Sequence, residues 1–254
     1  MSATTPERPS LRARFAAWGP RLRRPLLISG AVLVAGVLWV RCWPLPDALL
    51  AEPSTPSTVV VDRHGAPIYE ALSGEATRAI ALRADALPPR LVAATLAAED
   101  RRFYGHVGLD PVAMVRALRT NLAEGRIVEG ASTISQQVAK LLLNRQQPAR
   151  RRGVVAKAHE ALIALRLEHR FSKAELLALY LNLAAYGNQF TGAERASQAY
   201  FGVPAAMLTP AQAAFLAGLP QRPSGFNPFR SPEPARARQR TVLRRMAAAG
   251  ALAL

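Results

Sequence analysis

From Pro88 to the end of the chain, apolar residues return every three or four positions with little interruption, a period that belongs to α-helices. The pattern predicts helices over about 88–103, 110–124, 131–143, 152–170, 172–184, 190–201 and 209–219, with a last one near 232–249. Local punctuation supports these limits. Asp110-Pro111 and Thr209-Pro210 each place a cap before a first-turn proline, and Ser172 with Glu175 has the spacing of a capping box. A chain patterned this way folds as mainly α. With 254 residues, half of them apolar, it has enough material for one sizeable core plus accessory segments. No internal repeat or low-complexity tract is present.

Ahead of the helical region lie three shorter pieces. Arg12, Arg14, Arg21, Arg23 and Arg24 precede an apolar run from Leu26 to Val40, which reads as an uncleaved signal anchor over 25–43 with a basic cytoplasmic tail, 1–24. The run is shorter than the roughly 20 residues that span a bilayer, and Trp39, Arg41 and Trp43 would extend it at the interface. A cleaved secretory signal is the competing reading, but no Ala-x-Ala site follows closely. Residues 44–58 carry four prolines and suit an extended linker. The main helical domain would then be 59–254, opening with a short β-hairpin in which 58–62 and 66–72 flank Arg63-His64-Gly65.

Composition narrows the chemistry. Cys42 is the sole cysteine, so the chain has no intramolecular disulfide and no cysteine-built metal cage. Lys and Arg outnumber Asp and Glu by 33 to 17; the first 41 residues hold seven Arg and one Glu, leaving 26 against 16 in the remainder. The surplus favours an anionic partner, whether nucleic acid, an acidic membrane surface or a phosphate-bearing substrate.

The most informative residues lie at the end of the first predicted helix. In Leu91-Val92-Ala93-Ala94-Thr95-Leu96-Ala97-Ala98-Glu99, the glutamate shares a face with Val92, Thr95 and Leu96. Burial disfavours a carboxyl's ionised form, which is how a glutamate is tuned for general acid or base work. Asp100 points off that face and reads as a structural salt-bridge partner, and His106 as a hydrogen-bonding brace for the following loop. The segment Gly130-Ala131-Ser132-Thr133-Ile134-Ser135-Gln136-Gln137-Val138-Ala139-Lys140 has the form of a loop feeding a helix N-terminus, suited to phosphate or sugar oxygens. It equally fits an ordinary capped helix with a polar face. Lys157 and Glu160 sit one turn apart in a helix apolar enough to be largely buried, where an ion pair is weak evidence for stability and so suggests use. Arg166, Glu168 and Arg170 read as that helix's solvated rim. Val112 to Leu122, with Arg116 and Arg119, suits an amphipathic helix at a lipid surface or, equally, a core-packed one.

Together these segments resemble the peptidoglycan glycosyltransferases of family 51, found in class A penicillin-binding proteins and monofunctional transglycosylases. The resemblance covers about residues 60–250 and rests on Glu99 to Asp110, Gly130 to Lys140, Lys157-Ala158-His159-Glu160, Phe171 to Asn182, Ala199 to Gly202 and Leu208 to Gln221. Trp43-Pro44-Leu45-Pro46 and the loop Tyr186-Gly187-Asn188-Gln189 look most like the penicillin-binding protein 1C subtype. It implies a lysozyme-like helical fold that polymerises lipid II on the outer face of the bacterial cytoplasmic membrane, with the growing glycan chain as donor. Glu99 would be the general base for the acceptor's 4-hydroxyl, and Glu160 would orient the donor pyrophosphate or assist a divalent cation, Mg or Mn, none being obligatory. Lys140 and Lys157 would neutralise the leaving pyrophosphate, while Ser132, Thr133, Gln136, Gln137 and Asn182 would bind substrate.

The sequence departs from the family pattern at Ala131, Leu141 and Ala156, where a glycine, an asparagine and an arginine are usual; Arg145, Arg150, Arg151 and Arg152 are nearby replacements for the missing cation. No Ser-x-x-Lys followed by Lys-Thr-Gly occurs, so cross-linking would fall to a separate transpeptidase partner. Two rival functions remain. A lysozyme-like peptidoglycan hydrolase would also use a buried glutamate, but it has no need of the Lys140 and Lys157 set. A non-catalytic membrane-tethered scaffold would follow from charge alone, yet no nucleic-acid motif is present, so nucleic acid is not expected as a partner.

Overall fold

The computed structural model describes residues 20–42, 44–50, 58–64, 67–71, 81–126, 130–146 and 153–252. Two units separate within the chain, Met1–Pro44 and Leu45–Leu254. The described part of the first is one helix, α1 (Pro20–Cys42), which occupies the expected anchor. Its composition corrects that expectation. The apolar run is bounded by Arg24 and Arg41 and diluted by Ser29, Gly30 and Gly36, and among the described residues no helix is long and apolar enough to cross a membrane. Residues 1–19 of the expected cytoplasmic tail lie outside the described residues.

The second unit starts earlier than the sequence suggested. Residues 44–50 do not form an extended linker: a short turn of helix, α2 (Asp47–Leu50), carries Leu45 and Leu49 into the hydrophobic core. Burying two leucines outweighs the bias of the neighbouring prolines toward extended chain. Linker residues 51–57 lie outside the described residues. Strands β1 (Thr58–Val61) and β2 (Pro67–Ala71) pair antiparallel, Val60 opposite Tyr69, with a register shift at Val61.

The rest is helical: α3 (Pro89–Glu99), α4 (Pro111–Glu124), α5 (Ile134–Gln146), α6 (Val154–Arg170), α7 (Lys173–Leu183), α8 (Ala193–Phe201), α9 (Pro210–Gly218) and α10 (Pro232–Ala248). Each begins and ends within a few residues of the predicted limits, because the capping residues are where the sequence puts them. Asp110 accepts from the backbone N–H groups of Val112 and Ala113, while Ser172–Glu175 and Thr209–Gln212 both form reciprocal capping boxes. Helix α3 packs on α9 and α10, and α5 packs on α6 and α7. Leu91, Ala94, Ile134, Val138, Leu167, Leu177, Leu181, Ala213, Leu216 and Val242 are buried where these layers meet. The alanines of α3 and α9 matter for the site, since small side chains let backbones approach closely and bring the end of α3 beneath α10.

Three burial patterns differ from the sequence reading. Helix α6 is not buried throughout: Val154 and Val155 are exposed, and burial begins near Glu160. Its far end is no solvated rim, since Arg166 is buried and Glu168 bonds with Lys173 Nζ and Ser135 Oγ; Arg170 alone of the three is exposed. Helix α4 settles the other way, with only Ala117 buried and Val112, Met114, Val115, Leu118 and Leu122 all in solvent.

Candidate active site

A cleft of about 560 Å³ opens where the end of α3 meets the start of α5, with α4, α6 and α10 contributing further lining. Glu99, Ser132, Thr133, Gln136, Gln137, Lys140 and Lys157 all line it, so most of the residues singled out by sequence come together. Arg101, Arg102, Arg116, Arg238 and Arg245 line it too, which makes the cleft strongly cationic. Of the expected replacement cations, Arg145 does not line the cleft and Arg150, Arg151 and Arg152 lie outside the described residues.

Glu99 is the last residue of α3, and its side chain is 10 % exposed. A carboxylate there meets the negative end of the helix dipole as well as the cost of burial, so it needs partners. Gln137 Nε2 donates to Glu99 Oε2 at 2.7 Å, and Arg238 Nη2 lies 3.3 Å from Glu99 Oε1. Beneath the carboxylate, Tyr180 and Tyr186 are fully buried. Burial first, and then the negative charge of Glu99, pushes both phenols well above their ordinary range.

The next residue holds the corner together. Asp100 is buried rather than turned outward; its carboxylate accepts from His106 Nε2 and from the backbone N–H of Ile134 at 3.0 Å. His106 Nδ1 in turn accepts from the backbone N–H of Gly108 at 3.2 Å, so the ring bridges Asp100 and the loop. It is the loop brace the sequence suggested. Lys173 Nζ adds a bond to the His106 carbonyl and lies 4.4 Å from the centre of the Phe103 ring. Gly108 has φ +102°, and a Cβ there would sit 3.1 Å from the Ala164 carbonyl oxygen, so no other residue fits without strain.

The polar loop before α5 caps its helix and also lines the cleft. Thr133 and Gln136 cap the helix: the Thr133 N–H donates to Gln136 Oε1, the Gln136 N–H donates to Thr133 Oγ1, and Thr133 Oγ1 donates to the Gly108 carbonyl. Ser132 and Lys140 face outward into the cleft. Lys157 Nζ bridges the two sides, 3.0 Å from Ser132 Oγ and 3.0 Å from Glu160 Oε2. Glu160 is buried behind it, outside the lining. Among the described residues no three His, Cys, Asp or Glu side chains converge, so the donor set does not form a cation cage.

Asn182 does not belong to the cleft. Its side-chain amide closes a two-bond clasp with the backbone N–H and carbonyl of Leu82, a packing role that corrects the expected substrate contact. Arg238 is the converse, a site residue that periodicity did not flag. It stands 139 positions from Glu99 and, in sequence, is one arginine among several on α10.

The chain whose helices place a partnered glutamate against this cationic groove belongs to the transglycosylase family, whose model matches residues 64–247. It is 41 % identical over 205 residues to penicillin-binding protein 1A of Aquifex aeolicus, covering 80 % of this chain and 27 % of that protein. It is 36 % identical over 242 residues to penicillin-binding protein 1C of Escherichia coli, covering 95 % of this chain and 30 % of that one. The chain therefore spans less than a third of the length of these relatives.

Proposed function

We propose that this chain polymerises lipid II into glycan strands for the bacterial cell wall, releasing undecaprenyl pyrophosphate. The observation that carries the reading is Glu99, withdrawn to 10 % exposure yet lining one cleft with Lys140, Lys157 and several arginines. Glu99 takes the proton from the acceptor sugar's 4-hydroxyl as that oxygen attacks the anomeric carbon of the chain's terminal sugar. The configuration inverts and the bond to the pyrophosphate breaks. Lys140 and Lys157 stabilise the negative charge that grows on the leaving group, with Ser132 beside Lys157 to receive a phosphate or sugar oxygen. Glu160 fixes the Lys157 ammonium from behind. Thr133, Gln136 and Gln137 shape the wall chiefly through the bonds they make within the protein.

Both reactants are lipid-borne, which places the work at the outer face of the cytoplasmic membrane. The exposed apolar residues of α4 support contact with the lipid surface there, beside Arg116 in the cleft lining. A transpeptidase activity would cross-link the product.

Purified protein incubated with labelled lipid II is expected to yield long glycan. Glu99→Gln should cut polymerisation by about 10²- to 10⁴-fold, the range supplied by a positioned base, while the thermal unfolding profile stays unchanged. Full activity in that variant, or short hydrolysed sugars in place of polymer, overturns the reading.

A further inference from the structure

Arg238 lines the cleft with Lys140, Lys157, Arg101 and Arg102, yet its side chain is 10 % exposed, as withdrawn as that of Glu99. Its guanidinium reaches Glu99 Oε1 at 3.3 Å and the Ala98 carbonyl at 3.5 Å, and its Nε is buried without an acceptor. Leaving a donor unsatisfied is costly, so the position is held by something other than complete hydrogen bonding. The holder is visible on α9. A Cβ on Gly218 would stand 2.9 Å from Arg238 Cγ, so the arginine stem runs through the space that only a glycine leaves open. From the same face of α10, Arg245 Nη1 donates to the Ala98 carbonyl at 2.8 Å and ties down the end of α3.

We propose that Arg238, seated over Gly218, is the positioning residue that holds the Glu99 carboxylate aimed into the cleft. The inference rests on the reading of Glu99 as the base. The groups facing Glu99 show why a cation is needed. Tyr180 of α7 and Tyr186 of the following loop lie below it, and Gln137 of α5 donates a hydrogen bond to Oε2. Lys140 of α5, Lys157 of α6 and Arg245 of α10 line the same cleft, and among the described residues Arg238 is the cation in contact with Oε1. Without Arg238 the carboxylate keeps the Gln137 bond on one oxygen and loses the contact that fixes the other.

The test is lipid II polymerisation by the full chain, read as kcat against KM. Arg238→Gln should lower kcat at least about tenfold with KM changed far less, and Arg238→Lys, which keeps a cation at the same place, should recover much of that loss. Gly218→Ala, which displaces the arginine stem, should lower kcat in the same way, and it decides the matter if Arg238→Gln fails to unfold cooperatively. A merely structural arginine would lower the melting temperature and leave kcat per folded molecule in place, and a kcat within about twofold of the parent's overturns the proposal. If Glu99→Gln is inactive while Arg238→Gln keeps its kcat, the positioning role alone falls; if Glu99→Gln remains active, the assignment of the base falls with it.

Discussion

At the scale of single residues, the cleft is built by adjacent acids with opposite duties. Glu99 faces the cleft and is held by an arginine and a glutamine, whereas Asp100 faces inward and joins the end of α3 to the start of α5 through the Ile134 N–H. The sequence showed which of the two lies on the apolar face, because helical periodicity fixes the direction of a Cα–Cβ bond. It did not show that Asp100 is buried as well, since that burial depends on the chain leaving the helix at Asp100, with φ −155° and ψ 81°. Asp100→Ala leaves the Ile134 N–H and His106 Nε2 without their acceptor. Each lost bond to a charged acceptor costs about 1.5–3 kcal/mol, so the melting temperature should fall by several degrees. Differential scanning calorimetry checks this, and an unchanged melting temperature would mean the corner is held by other contacts. Arg238 was illegible for a different reason: contact across 139 residues leaves no local pattern, and only the later seating of α10 on α3 creates it.

At the scale of elements, the helices were legible and their burial less so. Caps and apolar periods are local chemistry, which is why α4 begins at Pro111 and α7 at Lys173 as expected. How much of a helix is covered depends on neighbours that the segment itself does not encode. Helix α6 looked apolar enough to be enclosed, yet its first turn stands in solvent; α4 left both outcomes open, and its apolar residues prove exposed. Leu118 is 60 % exposed and Leu122 72 %, so changing both costs the core little. If α4 dips into lipid, Leu118→Glu with Leu122→Glu should weaken binding of the full chain to anionic vesicles by about tenfold or more, since each inserted leucine is worth about 1.5–3 kcal/mol. Flotation of the variant against the parent at matched lipid measures it, and equal flotation would assign the exposed face to another use.

At the scale of the whole molecule, the second compact unit begins at Leu45 and not after the proline-rich stretch. Leu45 and Leu49 are core residues, hidden from a sequence reading because two leucines among prolines and an aspartate show no period. Leu49→Ala should destabilise the fold by about 2–5 kcal/mol, the usual cost of emptying a buried leucine site, and urea unfolding with an unchanged m-value would report it.

The bond from Asp100 to the Ile134 amide has one more consequence, in time rather than in space. It pins the residue beside Glu99 to the first turn of the facing wall, so this corner serves as an anvil, not a hinge. Under the proposed polymerisation, a growing strand would slip past a stationary block, with any breathing of the groove displaced elsewhere. Amide hydrogen exchange at Ile134 should accordingly be among the slowest in the protein, and should stay slow during turnover.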